Sequence, residues 1–544
     1  MRNTSRFLMA AAVLGLPAVA QVPTLLHRST GTQSQQFHGF VVNRLQDIDG
    51  DGREEFAVNA PGGPQIWSGL SIASILSTPY GLYGLCDIDA DGREEIVTRE
   101  SLYPPGTATD VGSFRLYSRT ATLRYFAGTL GGPSPGDELY FNDAKGRMGD
   151  VDGDGVDDYS AKIALAFQYL APIVSGKTGA VIRPAYAYGR CLPIGDVDDD
   201  GFDEILLAAN LCYYVAPNII CPGWIGLENG RTGVLMWSHW GEHDDCALGD
   251  TLIGVDDIDD DGAPDVVANA PNYKIGLNSV GYARAYSGAT GAVLWSRTGS
   301  WPYGRVALHL AAGADWTGDG VPDAAMIRAG LVPYIGGVTS TALVDILDGT
   351  NGNTVATLPH QPFVGFQPPE GFFKVHLGGD VDLDGSVELI THSIHPATEP
   401  AFNAGTMAIW KLAGSAAYRR YRGVACQGSN GKHPRITLRN PPHLGWNAEF
   451  RLRAALPTTP AVLSFGISAS LPLGTTPCMT HAVGELFAPP ILTNADGYGR
   501  LTIQLPADPG LTGLHLCAFW YAFDPAANAL GLTTSNACEM VLGP

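Results

Sequence analysis

Residues 47–55 read DIDGDGREE and run straight into FAVNAP. Five of those nine residues are carboxylates. Asp47, Asp49 and Asp51 stand at every second position, Gly52 follows at the sixth place, and Glu55 closes the set at the ninth. Like charges this close repel one another unless a cation lies between them. Alternating aspartates ahead of a glycine are how a tight loop wraps oxygen ligands around Ca²⁺.

The pattern recurs along the chain as D-x-D-x-D-G-x-x-[DE], in seven copies. The second copy carries Asp87, Asp89, Asp91 and Glu95, the third Asp150, Asp152, Asp154 and Asp158, and the fourth Asp196, Asp198, Asp200 and Glu204. The fifth carries Asp257, Asp259, Asp261 and Asp265, and the seventh Asp380, Asp382, Asp384 and Glu388. The sixth has Asp315, Asp319 and Asp323, with Thr317 where the second aspartate should be. Recurrence turns one acidic turn into a set of expected Ca²⁺ sites, up to seven. The carbonyl at the seventh place is expected to add an oxygen, from Arg53, Arg93, Val156, Phe202, Ala263, Val321 and Ser386 in turn.

An EF-hand is excluded. It needs a bidentate Glu at the twelfth place and a helix on each side. Here the twelfth place holds Val58, Thr98, Ala161, Leu207, Ala268, Met326 and Thr391. Short apolar runs such as EILLAA and DVVANA follow the loops, and they read as strands. Each loop therefore joins two strands. The loops start 40, 63, 46, 61, 58 and 65 residues apart. That is the scale of a repeat architecture, and four short strands per period make a propeller blade. The expected fold is all-β, a seven-bladed β-propeller with Ca²⁺-binding hairpin loops. Its N-terminal stretch TLLHRST, residues 24–30, is expected to pair within the last blade and leave no free sheet edge. Glycine-rich turns recur in phase: SGKTGAVI at Ser175, NGRTGVLMWS at Asn229, SGATGAVLWS at Ser287 and DGTNGNTVA at Asp348. Trp237 and Trp295 hold equivalent places and are expected to pack between adjacent units.

The unit at 252–296, with its loop, VVANAP and VGYARAYSGATGAVLWS, resembles the FG-GAP (VCBS-type) repeat of integrin alpha-subunit head domains and of secreted bacterial proteins. Residues 37–61 match the same pattern, with Phe37-His38-Gly39 near the family's Phe-Gly start. The resemblance covers roughly residues 25–420. It implies a seven-bladed propeller with Ca²⁺ in blade hairpins. This chain departs from it in carrying the loop in every unit and in its degraded Phe-Gly signatures. The TGAVLW pieces also resemble quinoprotein dehydrogenase propellers, but the adjacent cysteines common in those enzymes do not occur here.

Composition agrees with a turn-rich repeat protein. The chain has 544 residues, with 68 glycines and 38 prolines, and only 16% of it is charged against the usual ~25%. The net charge is −21, and the ligand positions of the seven loops account for half of the 54 acidic residues. Seven bound Ca²⁺ would offset two thirds of that charge. Phosphate binding needs basic patches, so nucleic acid is not an expected partner.

Arg2 and Arg6 ahead of the apolar run 7–19, with AVA at Ala18–Ala20, read as a signal peptide over 1–20, cleaved between Ala20 and Gln21. The expected location is secreted or cell-surface. Residues 205–227 are apolar but interrupted by Asn210, Pro217, Asn218 and Pro222, so they read as a hairpin and a loop rather than a membrane span. Nine cysteines in a secreted chain suggest disulfides. The expected pairs are Cys426–Cys478, Cys517–Cys538 and Cys212–Cys221, with Cys191–Cys246 weaker and Cys86 left over.

The propeller is expected to span 21–422. YRRYRG at 418–423 reads as a solvated basic connector. Residues 423–544 hold the short alternating strands RITLRN, AEFRLRA, AVLSFGI, GRLTIQLP, LHLCAFWYAF and CEMVLG, which read as a β-sandwich. It is loosely similar to the C-terminal domains of other secreted bacterial repeat proteins. No H-E-x-x-H motif occurs. His239, His243, Asp244 and Asp245 in HWGEHDDC are zinc-type ligands, and the plainer reading is a polar loop. The expected function is non-enzymatic: adhesion to, or recognition of, an extracellular protein or glycan by a monomer. The alternatives are a carbohydrate-binding lectin and a polysaccharide-active enzyme.

Overall fold

The computed structural model describes residues 23–30, 42–44, 55–60, 63–68, 73–77, 82–83, 96–102, 111–117, 123–127, 138–141, 147–154, 158–165, 168–175, 178, 180–185, 189–198, 200, 202–209, 213–215, 218–300, 306–334, 337–358, 371–382, 386–394, 406–412, 417–422, 425–439, 441–476 and 478–543. The expected signal peptide, Phe37-His38-Gly39, Cys86 and Cys212 lie outside these residues. Described strands pair antiparallel, and the fold is all-β, with a short 3-10 turn at Pro509–Leu511.

Among the described residues, seven sheets of four or five strands follow one another along the chain up to residue 411, besides two two-stranded hairpins. The first orders Val42–Arg44, Glu55–Ala60, Gly63–Ser68 and Ala73–Ser77, and the second Leu82–Tyr83, Ile96–Leu102, Val111–Tyr117 and Leu123–Ala127. The third is five-stranded: Glu138–Phe141 and Arg147–Gly149 both pair with Asp158–Leu165, and Gln168–Val174 and Val181–Ala185 follow. The fourth orders Gly189–Gly195, Glu204–Ala209, Trp224–Glu228 and Leu235–Trp240, and the fifth Leu252–Val255, Asp265–Ala270, Tyr282–Tyr286 and Val293–Thr298. The sixth orders Leu310–Ala314, Asp323–Tyr334, Gly337–Leu347 and Thr354–Thr357. The seventh takes Gly371–Gly379, Glu388–Ile394 and Thr406–Lys411 from its own stretch and its fourth strand, Thr24–Thr30, from the N-terminus. Thr24 pairs with Lys411 and Thr30 with Thr406, as the stretch TLLHRST was expected to do. In the fourth to seventh sheets the acidic loop stands between the first and second strands, and in the third it stands between Arg147–Gly149 and Asp158–Leu165. The apolar stretch 205–227 resolves into strand, hairpin (Tyr213–Val215 with Asn218–Ile220) and strand.

The cores lie between sheets. Strand Asp265–Ala270 is buried at every position. Successive side chains of a strand point to opposite faces, so Val266 and Ala268 pack with Leu206, Ile225 and Leu227 of the fourth sheet, while Val267 packs with Leu310, Ala312 and Met326 of the sixth. Both faces are covered, which is why the sequence reads VVANA rather than as an apolar–polar alternation. Full burial of one such side chain contributes about 1.5–3 kcal/mol. The same arrangement joins the third sheet to the fourth (Met148 and Ile173 with Ile205 and Leu207) and the sixth to the seventh (Ile327 and Val344 with Val375 and Leu389). It also joins the seventh to the first, where Ile390, Met407 and Ile409 pack on Phe56, Val58 and Trp67. The tryptophans act between sheets as expected. Trp237 Nε1 of the fourth donates to Gly288 O of the fifth, and Trp295 Nε1 of the fifth donates to Gly349 O of the sixth, both at 2.6 Å.

Beyond residue 417 two further sheets share one core. The larger contains Tyr418–Arg422, Ala537–Val541, His515–Phe523, Pro460–Pro472 and Met479–Phe487, and the smaller Arg435–Arg439, Asn447–Arg453 and Gly499–Gln504. Ile436, Leu438, Phe450 and Leu452 of the smaller pack against Leu463, Trp520 and Met540 of the larger.

Residues 418–422 correct the sequence reading. They are not a solvated connector but a strand paired with Ala537–Val541, so the C-terminal unit begins before the expected boundary at 423. Tyr421 packs against the shared core, and Arg419 Nη2 pairs with Asp256 Oδ1 at 2.6 Å. Cys426 and Cys478 form the expected disulfide. Cys517 and Cys538 do not bond each other; both are buried thiols, as are Cys191 and Cys246. Alternation explains the first case, because Cys538 enters the core between the two sheets whereas Cys517 packs with Phe519 and Ala537 in a separate cluster. Cys191 lies in the core of sheets three and four and Cys246 in that of four and five. Cys221 is disulfide-bonded.

Candidate metal centre

Five acidic loops are wholly or partly described; Asp47, Asp49, Asp51, Arg53, Asp87, Asp89, Asp91, Arg93, Glu95, Val156 and Asp384 lie outside the described residues. The apolar residue at the second place anchors each described loop. Val151, Val197, Ile258, Trp316 and Val381 are all buried. Their backbone N–H groups donate to the outer oxygen of the ninth-place carboxylate, at 2.7 Å to Asp158, 2.5 Å to Glu204, 2.6 Å to Asp265, 2.7 Å to Asp323 and 2.7 Å to Glu388. Those five carboxylates, and Glu55 of the first loop, are 0% exposed. A carboxylate so buried requires charge or hydrogen-bond compensation.

Ligand-type oxygens then converge. One oxygen each from places one, three and nine lies within 4.8 Å of the others in four loops: Asp150/Asp152/Asp158, Asp196/Asp198/Glu204, Asp257/Asp259/Asp265 and Asp380/Asp382/Glu388. The sixth loop substitutes a hydroxyl, with Thr317 Oγ1 3.4 Å from Asp315 Oδ1 and 3.5 Å from Asp323 Oδ1. The fifth-place aspartates are placed differently. Asp200, Asp261 and Asp319 accept the N–H of Phe202, Ala263 and Val321 at 2.9, 2.7 and 3.0 Å, which turns the chain, and Asp154 is likewise outside its trio. The glycine at place six takes a left-handed backbone, with φ of 100° at Gly262 and 88° at Gly320, a conformation that side chains with a Cβ resist.

Burial raises the loop carboxylates above their ordinary range. Burial pushes Glu204 up to about 9, with Asp198 and Asp196 adding to the rise. Burial likewise lifts Asp265 to about 7 and Asp257 to about 6. Asp152, Asp259, Asp315 and Asp323 are raised for the same leading reason. In the seventh loop, Asp382 Oδ2 pairs with Lys411 Nζ at 2.7 Å, while its buried Oδ1 has no hydrogen-bond partner. An all-oxygen, acceptor-only set of this kind fits a hard divalent cation.

Two sets of residues had not been assigned to the site by sequence reasoning. The first is the glycine-rich turn. Gly288 N donates to Asp265 Oδ1 at 2.8 Å, Gly349 N to Asp323 Oδ1 at 2.7 Å, and Gly230 N to Glu204 Oε1 at 3.4 Å. A Cβ on these glycines would stand 1.9, 2.1 and 1.8 Å from the carbonyl oxygens of Pro264, Pro322 and Asp203. The residue ahead of the glycine also reaches in, as Asn229 Nδ2 donates to Asp198 Oδ2 at 2.8 Å. The constant phase of turn and loop was the available signal.

The second set comes from the C-terminal unit, whose smaller sheet faces the loops. Arg451 Nη1 donates to Asp196 O at 3.0 Å, and Arg453 Nη2 lies 3.5 Å from Asp196 Oδ2. Arg453 also pairs with Asp203. Arg439 Nη2 lies 3.6 Å from Asp257 Oδ2, and His443 Nε2 lies 3.5 Å from Asp315 Oδ2. Lys432 donates to Gly153 O of the third loop.

The HWGEHDDC stretch does not gather its histidines. His239 Nε2 meets Gly291 O at 2.7 Å, His243 stacks on Tyr273, and Glu242 accepts from Tyr282 and Arg284. Among the described residues no helix is long and apolar enough to cross a membrane. No family model matches the chain, and no curated protein matches it.

Proposed function

We propose that this chain is a secreted, calcium-binding, non-enzymatic recognition protein: an FG-GAP-type seven-bladed β-propeller followed by a β-sandwich. The observation that carries this reading is the repetition of one carboxylate trio in four separate sheets, each around a fully buried ninth-place carboxylate. A catalytic site is a single constellation, whereas the same oxygen set in sheet after sheet suits structural ions that stiffen a scaffold. The ring is supported by cores between consecutive sheets, by the packing of the seventh sheet on the first, and by the N-terminal strand completing the seventh. The place-one, -three and -nine oxygens would hold the ion, with the place-seven carbonyl and the place-five aspartate as the remaining candidates. The ion supplies charge that the buried carboxylates lack and cross-links the loop to the following strand. Extracellular calcium suits such sites, because extracellular modules bind at about 10⁻⁴–10⁻³ M.

The test is binding of the full chain to arrays of glycans and extracellular-matrix proteins, in about 1 mM calcium and in EGTA. Binding that depends on calcium supports recognition. Release of new reducing ends from arrayed polysaccharides would overturn the non-enzymatic reading, and calcium-independent binding would detach the loops from it.

A further inference from the structure

The C-terminal unit brings a positive or protonatable side chain to the first aspartate of three consecutive loops. Oδ1 of each accepts the fifth-place N–H of its loop, Asp200 N at 3.0 Å in Asp196, Asp261 N at 3.2 Å in Asp257 and Asp319 N at 3.3 Å in Asp315. Oδ2 meets the C-terminal unit through Arg451 and Arg453, then Arg439, then His443, and in Asp257 and Asp315 it also accepts a loop N–H, from Gly262 and Gly320. These side chains come from the polar faces of Arg435–Arg439 and Asn447–Arg453 and the segment between them. Ile436, Leu438, Phe450 and Leu452, on the opposite face, enter the unit's own core. Arg451 and Arg453 are 4% and 6% exposed, so the contact is a buried interface.

From this shared geometry we infer that docking of the C-terminal unit and cation binding at loops four, five and six oppose each other, with Arg451, Arg453 and Arg439 as the residues that set cation affinity. The inference rests on the cation reading above. A cation in the loop and a guanidinium from the C-terminal unit would share one carboxylate, and two positive charges on one carboxylate repel. The arginines are not needed to position that carboxylate. Backbone N–H groups already hold it: Asp257 accepts Asp261 N and, at 2.8 Å, Gly262 N, while Asp315 accepts Gly318 N at 2.6 Å and Gly320 N at 3.0 Å. The arginine contribution is therefore electrostatic, and it has a use. In a loop without its ion, the guanidinium partly neutralises crowded carboxylates and covers them. By linkage, whatever docking does to cation affinity, the cation does to docking.

The experiment is calorimetric titration of the full chain with CaCl₂, comparing wild type with the double variant R451Q/R453Q, with R439Q, and with K274Q. Lys274 pairs only loosely with Asp245, at 3.8 Å, and is outside the loops, so K274Q is the charge control. One class of sites should tighten on the order of tenfold in R451Q/R453Q, and another by a smaller factor in R439Q, with K274Q unchanged. If the double variant fails to fold by circular dichroism, the half-buried Arg439 still tests the same statement at loop five. Unchanged or weaker binding in folded variants, with wild type binding calcium, overturns the inference alone. No calcium binding by wild type overturns the cation reading and this inference with it.

Discussion

Gly288 and Asp265 meet across the fifth sheet: the glycine N–H donates to Asp265 Oδ1 at 2.8 Å, and no other residue fits, because a Cβ would lie 1.9 Å from Pro264 O. The turn between the third and fourth strands is thereby locked to the acidic loop between the first and second. Gly288→Ala is expected to cost about 2–3 kcal/mol through steric overlap with rigid backbone. It should also weaken calcium binding at this loop, since the carboxylate loses its donor. Urea denaturation and a calcium titration of the variant check both effects; unaltered stability would mean the turn is looser than the contact implies.

Chelation should lower the melting temperature of the repeat sheets and leave the C-terminal unit less affected. With calcium at ten times Kd, each occupied site stabilises the folded state by about 1.4 kcal/mol. Asp257→Ala should remove most of that at the fifth loop, whereas Thr317→Ala removes only a neutral oxygen from the sixth. Differential scanning calorimetry with and without EGTA reads this directly, and a trace that does not move would count against bound calcium.

The raised carboxylates fix the sign of the pH dependence. In the cation-free chain, Glu204 titrates near 9 instead of 4.5, Asp265 near 7 and Asp257 near 6 instead of 3.8. The folded state therefore holds protons that the unfolded state has shed. That stabilisation is complete below the unfolded values and drains away as pH rises through 6, 7 and 9. Chelated protein should melt lower at about pH 8.5 than at about pH 5.5. Calcium replaces those protons, so its affinity should rise over the same range, with proton release visible as buffer-dependent heats of binding.

Two of the ion pairs that join the repeat sheets to the C-terminal unit should differ in weight. Arg231 and Asp496 are 43% and 35% exposed at 3.0 Å, and Arg231→Gln is expected to leave the melting temperature nearly unchanged. Arg419 and Asp256 are 18% and 27% exposed at 2.6 Å, and Arg419→Gln, which leaves a shielded aspartate without its partner, should cost about 2–3 kcal/mol. Equal melting shifts for the two variants would refute this ranking.

By itself the sequence determined the all-β class, the position of the described loops between two antiparallel strands, and the pairing of residues 24–30 with the seventh sheet. These follow from local rules. The loop pattern D-x-D-x-D-G is written in consecutive residues, a strand's apolar run is a local property, and a repeat with a missing strand names what completes it. Only the tertiary structure decided how the arginines of RITLRN and AEFRLRA are used. Alternation predicts that one face is polar, and Arg439, Arg451 and Arg453 obey it, but alternation cannot say whether that face meets water or another unit. The same limit explains YRRYRG. A basic hexapeptide reads as solvated until Tyr421 finds a core and Arg419 finds Asp256, more than 160 residues away in the chain. Cys517 and Cys538 needed it too, because two cysteines close in sequence can lie on opposite faces of one sheet, and pairing depends on which face each occupies.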